Sequence, residues 1–434
     1  MNRRILNIAL PSIVSNISVP LLGLADTAIV GHLGATVYIG AIAVGTLLFN
    51  MTYWLFGFLR LGTGGLTSQS FGEGNTAESF RILLRSLALG AAIAILILLL
   101  QKPILDFALS IIGPSEEVEQ YARTYYNILI WGAPAVLLLY CMSGWFLGIQ
   151  KAKYVMYTVL MQNFINIPVS LLLVFKLGMK VEGVALGTLA AQYASLFLAF
   201  FLLLKERGLF LWTMLKGWLD GHQIRRFFGI NLNIFLRTLC LIAVTTGFTS
   251  LGAKQGDTTL AANALLMQFF LLFSYIIDGF AFAGEALGGQ YYGAKDKDSF
   301  VQVTRKLFVW GAGFALIFVA LYGFGGELLL RILTNEDGVI QYASHYLPYV
   351  VMIPLISFSA FLFDGIFIGI THTFHMLLSM LFATAFFFIY AIYAPTGDGN
   401  VALWIGFLGY LGLRGLVLYV VYRRSVLSEI SALP

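Results

Sequence analysis

The sequence predicts an all-α polytopic membrane protein with twelve transmembrane helices, arranged as two parallel-repeat six-helix bundles around a central cleft. Three observations carry this prediction. First, of 434 residues 59% are hydrophobic and 11% charged, with a mean hydropathy of +0.86, whereas a soluble globular chain carries about 25% charged residues. Second, apolar stretches of spanning length, about 20 residues, recur along the whole chain. Third, much of the second half repeats the first at a constant offset of 221 residues.

In order, the spans are expected at 5–30, 38–59, 82–101, 121–144, 154–175, 184–204, 225–250, 259–284, 302–323, 341–368, 374–394 and 401–422. Met1-Asn2-Arg3-Arg4 leads straight into the first of these with no small-residue cleavage site, so that segment is read as a retained helix and not as a signal peptide. With both termini cytoplasmic, 18 Lys and Arg fall on the inner side and six on the outer, while Arg237 and Arg414 lie within spans. A threefold bias over short loops is an orientation signal, and the expected location is the inner (plasma) membrane of the cell, spanned many times. The net charge of +5 is thereby explained by topology and gives no argument for nucleic-acid binding. Cys141 and Cys240 both fall within spans, far from an oxidising compartment, and read as small core residues.

The repeat is visible residue by residue. Leu66, Gln69 and Gly72 map onto Leu287, Gln290 and Gly293; Tyr121, Ala122 and Tyr125 onto Tyr342, Ala343 and Tyr346; Gly144, Phe146 and Gly148 onto Gly365, Phe367 and Gly369. Six spans per repeat return the chain to its starting side, so the halves share an orientation and are related by an axis along the membrane normal. The expected division is 1–208 for the first lobe, 209–224 for a charged cytoplasmic linker and 225–434 for the second lobe. Glycine-rich stretches at Gly62–Asn75 and Gly284–Asp296 lie where the second and third spans of each repeat meet. Neither contains the G-x-x-x-x-G-K-[ST] phosphate-binding pattern. They are read as sites of close helix packing and turning.

Polar residues within the spans mark the candidate site. Asp26 stands in the apolar run Leu22–Val30, where an unpaired charge costs several kcal/mol. Ser12, Ser15, Asn16, Val19, Gly23, Asp26 and Thr27 recur at helical spacing, an expected face toward a hydrated cavity. Pro11 and Pro20 each remove a backbone donor in the same segment, which makes it a hinged helix. Asp26 is accordingly a proton or cation site. The fifth span carries Asn163, Asn166 and Ser170 on one face around Pro168. In the second half Arg237, Asp278, Glu285, Asp364 and Arg414 are intramembrane charges, and Asp278 and Asp364 are expected to pair with Arg237. Asp364 has Ser143 as its first-half counterpart, so the halves differ chemically. His372 and His375, spaced H-x-x-H without an evident acidic partner, read as interfacial histidines and not as a metal site. No nucleophile, histidine and acid set marks an enzyme.

These residues resemble the multidrug and toxic compound extrusion transporters, and among them the DNA-damage-inducible protein F-like branch. The resemblance rests on Pro11 with Asp26-Thr27-Ala28 and Gly31–Gly34, Asn233–Thr238, Leu260–Asn263, Asp278–Leu287 and Asp364–Gly369. It implies a two-lobed secondary exporter that exchanges protons or sodium for amphipathic, often cationic compounds without a cofactor, with Asp26 as the coupling acid. Some family members carry Asn-x-x-x-Asp on the fifth helix and a Thr on the sixth. Here the pattern reads Asn166-x-x-x-Ser170 with Thr188 downstream, and the missing carboxylate favours protons over sodium. The cavity is expected to be lined by Pro20, Thr27, Asn163, Asn166, Ser170 and Thr188, with Arg237, Asp278 and Asp364 forming a second-half polar network. The expected partners are small amphipathic substrates and the lipid bilayer, with no nucleic acid and a monomeric chain. The alternative is a flippase for a lipid-linked headgroup, whose cavity would need several basic residues that first-half spans lack.

Overall fold

The computed structural model describes residues 1–33, 35–207, 218, 220–394 and 398–432. Gly34 and most of the expected linker, 209–217 and 219, lie outside the described residues. Among the described residues twelve helices are long and apolar enough to cross a membrane: Asn2–Gly31, Thr36–Gly72, Thr76–Leu99, Glu116–Gly148, Ala152–Lys176, Val181–Glu206, Gly221–Ala253, Asp257–Gly293, Lys297–Leu333, Asp337–Gly369, Thr373–Tyr393 and Gly399–Ile430. They are named below as the first to twelfth spans. Their number and order match the hydropathy reading, and several extend further. The second span turns at Phe56–Gly57 and continues as helix to Gly72, and the eighth continues to Gly293. The glycine-rich stretches are therefore helical ends, and the turns expected within them occupy only the last few residues. Glycines on the spans packed beside them serve close approach: at Gly144 and Gly365 an added Cβ would run into the carbonyl oxygens of Arg60 and Ala281. Backbone-to-backbone approach of this kind is what G-x-x-x-G spacing permits.

The two contacts just named are 221 residues apart on both sides, and the loops obey the same offset. After the second span Gly74 has φ +71°, and after the eighth Lys295 has φ +57°. Asn75 N–H then donates to Ser70 O at 2.9 Å, and Asp296 N–H to Tyr291 O at 2.9 Å. The Asn75 side chain caps the third span at Glu78 N, and Asp296 caps the ninth at Ser299 N, at 2.9 and 3.0 Å. A side-chain acceptor at this position satisfies one of the orphan donors of a helix N-terminus. Gln150 and Thr371 are likewise a matched pair of left-handed turn residues, φ 64° and 58°. The duplication thus extends from sequence to capping chemistry.

The chain forms two compact units. One comprises Val14–Ser70 and Asn75–Phe227; the other comprises Met1–Ile13, Phe71–Gly74 and Phe228–Pro434. The first unit packs around fully buried Trp145, whose Nε1–H donates to Ser79 O at 3.0 Å. Cys141 is buried beside it, and Cys240 is half-buried in the other unit; both are free thiols. That other unit has an aromatic core that includes Phe248, Phe273, Tyr322 and Trp404. Arg4 belongs to it as well, donating to Tyr291 Oη at 2.5 Å.

Candidate functional site

The first span remains helical through Pro11 and Pro20. Its buried stripe runs through Ser12, Ser15, Ser18 and Asp26, whereas Val14, Ile17, Leu21 and Leu24 are exposed at helical spacing, as a lipid-facing stripe requires. The polar face is narrower than its sequence spacing indicates. Val19 is 60% exposed, and Thr27 is exposed with its hydroxyl bonded to Gly23 O of its own helix at 2.9 Å. Hydroxyls bond back to the i−4 carbonyl readily, so nothing draws Thr27 toward Asp26. Pro20 is half-buried.

Asp26, 5% exposed, meets two residues of the same unit. Thr188 of the sixth span lies 3.2 Å from Asp26 Oδ2 and 3.0 Å from Val184 O. Asn166 of the fifth span donates from Nδ2 to Thr188 Oγ1 at 2.9 Å. One hydroxyl proton thus has two acceptors, and Asn166 holds the hydroxyl oxygen in place from the other side. Asp26 Oδ1, Asn166 Oδ1 and Ser170 Oγ are buried without a hydrogen-bond partner among the described residues. Leaving a buried oxygen unpaired costs about 1–3 kcal/mol; Tyr53 Oη, Thr67 Oγ1, Tyr126 Oη and Gln192 Oε1 of the same unit also lack partners among the described residues. Ser170 sits tight against the sixth span, where a Cβ at Gly187 would run into its Oγ.

Asn163 stands apart from this cluster. Its Nδ2 donates to Ser18 O at 2.8 Å, tying the fifth span to the first two residues before Pro20. The sequence grouped Asn163 with Asn166, and the structure gives the two amides different tasks.

In the other unit Arg237 and Arg414 both donate to Asp364 Oδ2. Arg414 also lies 5.3 Å from the Tyr410 ring and 6.0 Å from the Phe361 ring, and Asp278 acts on it electrostatically. Two guanidinium and two carboxylate charges balance, which suits a structural network. The expected Arg237–Asp364 pair is present; the share taken by Arg414 was not anticipated. His372 likewise has the acidic partner that its sequence neighbourhood did not show, with Nε2 3.3 Å from Glu429 Oε2. No group of three potential metal ligands occurs among the described residues.

A duplicated twelve-span bundle with a buried carboxylate in a hydroxyl and amide cluster defines a membrane transporter, and similarity to known proteins narrows this. The family model described as MatE matches residues 11–172 and again 232–393, two matches separated by the repeat offset. The chain belongs to the MatE family of multidrug efflux transporters. DNA damage-inducible protein F of Escherichia coli (strain K12) is 39% identical over 421 residues, 96% of this chain and 91% of that one. The probable multidrug resistance protein NorM of Photorhabdus laumondii subsp. laumondii is 24% identical, covering 99% and 97% of the two chains. Among solved structures, a MATE in the bent conformation superposes with TM-score 0.86 at 18% identity, covering 99% of this chain and 96% of that one. An outward-facing MATE family multidrug transporter of the MOP superfamily gives 0.86 at 19% identity with the same coverage. At these identities the structures establish the fold alone.

Proposed function

We propose that this chain is a secondary antiporter that exports amphipathic, often cationic organic compounds while protons enter, with Asp26 as the titrating group. The observation that supports this reading is the Asp26, Thr188 and Asn166 relay beside a serine at position 170. When Asp26 is ionised, the Thr188 hydroxyl donates to Oδ2. When Asp26 is protonated, Thr188 turns its proton to Val184 O. Both charge states are thus accommodated by rotating one hydroxyl, and a general acid needs little more than this. A dehydrated hard cation calls for several oxygen ligands with carboxylate charge among them, and the cluster offers only one carboxylate.

Each proton supplies about 1.4 kcal/mol per pH unit and about 2.3 kcal/mol per 100 mV if it crosses the full field. The basic residues at the inner loops argue for both termini in the cytoplasm, and the chain is proposed to sit in the plasma membrane as a monomer. The experiment is efflux from proteoliposomes with one gradient imposed at a time. Transport should follow a pH gradient in sodium-free buffer; dependence on a sodium gradient with no response to pH would overturn the proposal.

A further inference from the structure

The offset of 221 residues holds at both ends of the two family matches, 11–172 and 232–393, so the copy of the Asp26 cluster in the other unit can be located position by position. Asp26 corresponds to Gly247, Asn166 to Phe387, Ser170 to Ala391 and, with the offset carried onward, Thr188 to Gly409. Every polar side chain of the cluster is missing from its copy. Pro11, Pro20 and Pro168 correspond to Leu232, Leu241 and Ile389, and neither the seventh nor the eleventh span contains a proline. The copy therefore lacks the residues that interrupt a helix as well as the acid.

Aromatic rings from the eleventh span fill the space. Towards the seventh span, a Cβ at Gly247 would stand 2.7 Å from Phe388 Cε1 and 3.5 Å from Phe387 Cε1. Towards the twelfth, a Cβ at Gly409 would run into Phe386, and one at Gly406 would meet Phe387 at 3.5 Å. Phe387 is fully buried, and its ring meets that of Phe388 edge-on at 5.2 Å. Position 247 thus has no room for a side chain while Phe388 keeps its place. A carboxylate there would also lose its hydration to hydrocarbon, which offers nothing in exchange. In the first unit the corresponding three spans meet instead through Asp26, Asn166 and Thr188.

We propose that Phe386, Phe387 and Phe388 plug the second copy of the coupling site, so that each turnover carries a single proton and exchange for a monovalent organic cation is electroneutral. This rests on the antiport reading above and adds its stoichiometry. Tyr125 of the fourth span also acts on Asp26 electrostatically, but a phenol ordinarily ionises at about pH 10 and adds no proton at neutral pH. Asp278, Glu285 and Asp364 lie on the eighth and tenth spans, not on the three that build the copy, and Asp364 already holds Arg237 and Arg414. An organic monocation that leaves as one proton enters moves no net charge, so the membrane potential neither drives nor opposes the exchange. The pH difference alone sets the substrate ratio.

The test uses the full chain in sodium-free proteoliposomes, with ethidium, a monovalent organic cation, as the probe. At each imposed pH difference the ethidium ratio at which net flux changes sign is measured, a quantity independent of how much of the protein is active. It should change about tenfold per pH unit and be unmoved by a potassium diffusion potential set with valinomycin. Two protons per turnover would give about a hundredfold per pH unit and about a fiftyfold dependence per 100 mV, and would overturn the stoichiometry while leaving antiport standing. No pH dependence at all would remove the antiport reading and the stoichiometry with it. The plug is tested without transport: Gly247→Asp should lose most of its folded yield on size-exclusion chromatography and regain part of it when combined with Phe388→Ala. A Gly247→Asp protein that folds as well as the parent would overturn the plug.

Discussion

Replacing Asp26 by asparagine alters the charge of one buried group while leaving its volume and one acceptor oxygen, which the amide can turn to the Oδ2 position that Thr188 faces. Thr188 at 3.2 Å can still donate to the amide oxygen, so the fifth and sixth spans keep their attachment to the first. Removal of a titratable charge from a site with 5% exposure also relieves a desolvation cost, so the melting temperature of Asp26→Asn should be no lower than that of the parent. The coupling consequence is large. One proton moving down a one-unit pH gradient supplies about 1.4 kcal/mol, equivalent to a tenfold substrate gradient. Parent proteoliposomes under that gradient should therefore sustain up to roughly a tenfold concentration ratio of a fluorescent organic cation for one proton exchanged. The variant should bring the ratio only to unity. A well-folded Asp26→Asn protein that still accumulates substrate in response to pH would refute the assignment.

Asn166→Ala removes the donor that steadies Thr188, so transport should drop roughly fivefold, the value of about 1 kcal/mol for one hydrogen bond, with a shifted pH profile; an unchanged rate and profile would reduce Asn166 to packing. Gly144→Ala and Gly365→Ala drive a methyl group into backbone carbonyls and should each cost about 1–3 kcal/mol or more in thermal unfolding. Gly288→Ala, whose nearest atom is 3.8 Å away, serves as a tolerated control. The matched caps differ in their pH response. Hydrogen bonds from Ser299 hold the Asp296 carboxyl below its ordinary value, so its cap is intact above that value and is lost as pH falls through the folded-state pKa. The neutral Asn75 cap does not change. Alanine at either position should cost about 1 kcal/mol at neutral pH, and only the Asp296 penalty should shrink in acid.

Hydropathy located all twelve spans, because about 20 apolar residues have few other uses. The repeat was legible because glycines at backbone contacts tolerate no substitute. Asp26, Asn166 and Ser170 could be chosen from helical spacing and polarity, but Thr188 could not: threonine is common in spans, and only the family pattern singled it out. Spacing also overreached. Thr27 adjoins Asp26 in sequence, yet about 100° of helical turn separates adjacent side chains, enough to leave one buried and the next exposed. Arg414 and Glu429 join Asp364 and His372 across 50 and 57 positions of chain, distances over which periodicity says nothing. Glycine-rich composition suggested turns where the structure has helix, since glycine serves close approach as readily as it breaks helices.

The division of the first span between units bears on how the chain can be taken apart. Met1–Ile13 cluster with Phe228–Pro434, while Val14 onward clusters with the other unit. A cut in the linker would yield two fragments of six spans each, but the later one would lack its own opening segment, including the Arg4 contact to Tyr291. Separately expressed halves should consequently complement each other poorly when the earlier fragment begins at Val14, and a second copy of residues 1–13 supplied in trans would be the missing piece. Duplication of a six-span ancestor has here left two copies that no longer coincide with two independent folding modules.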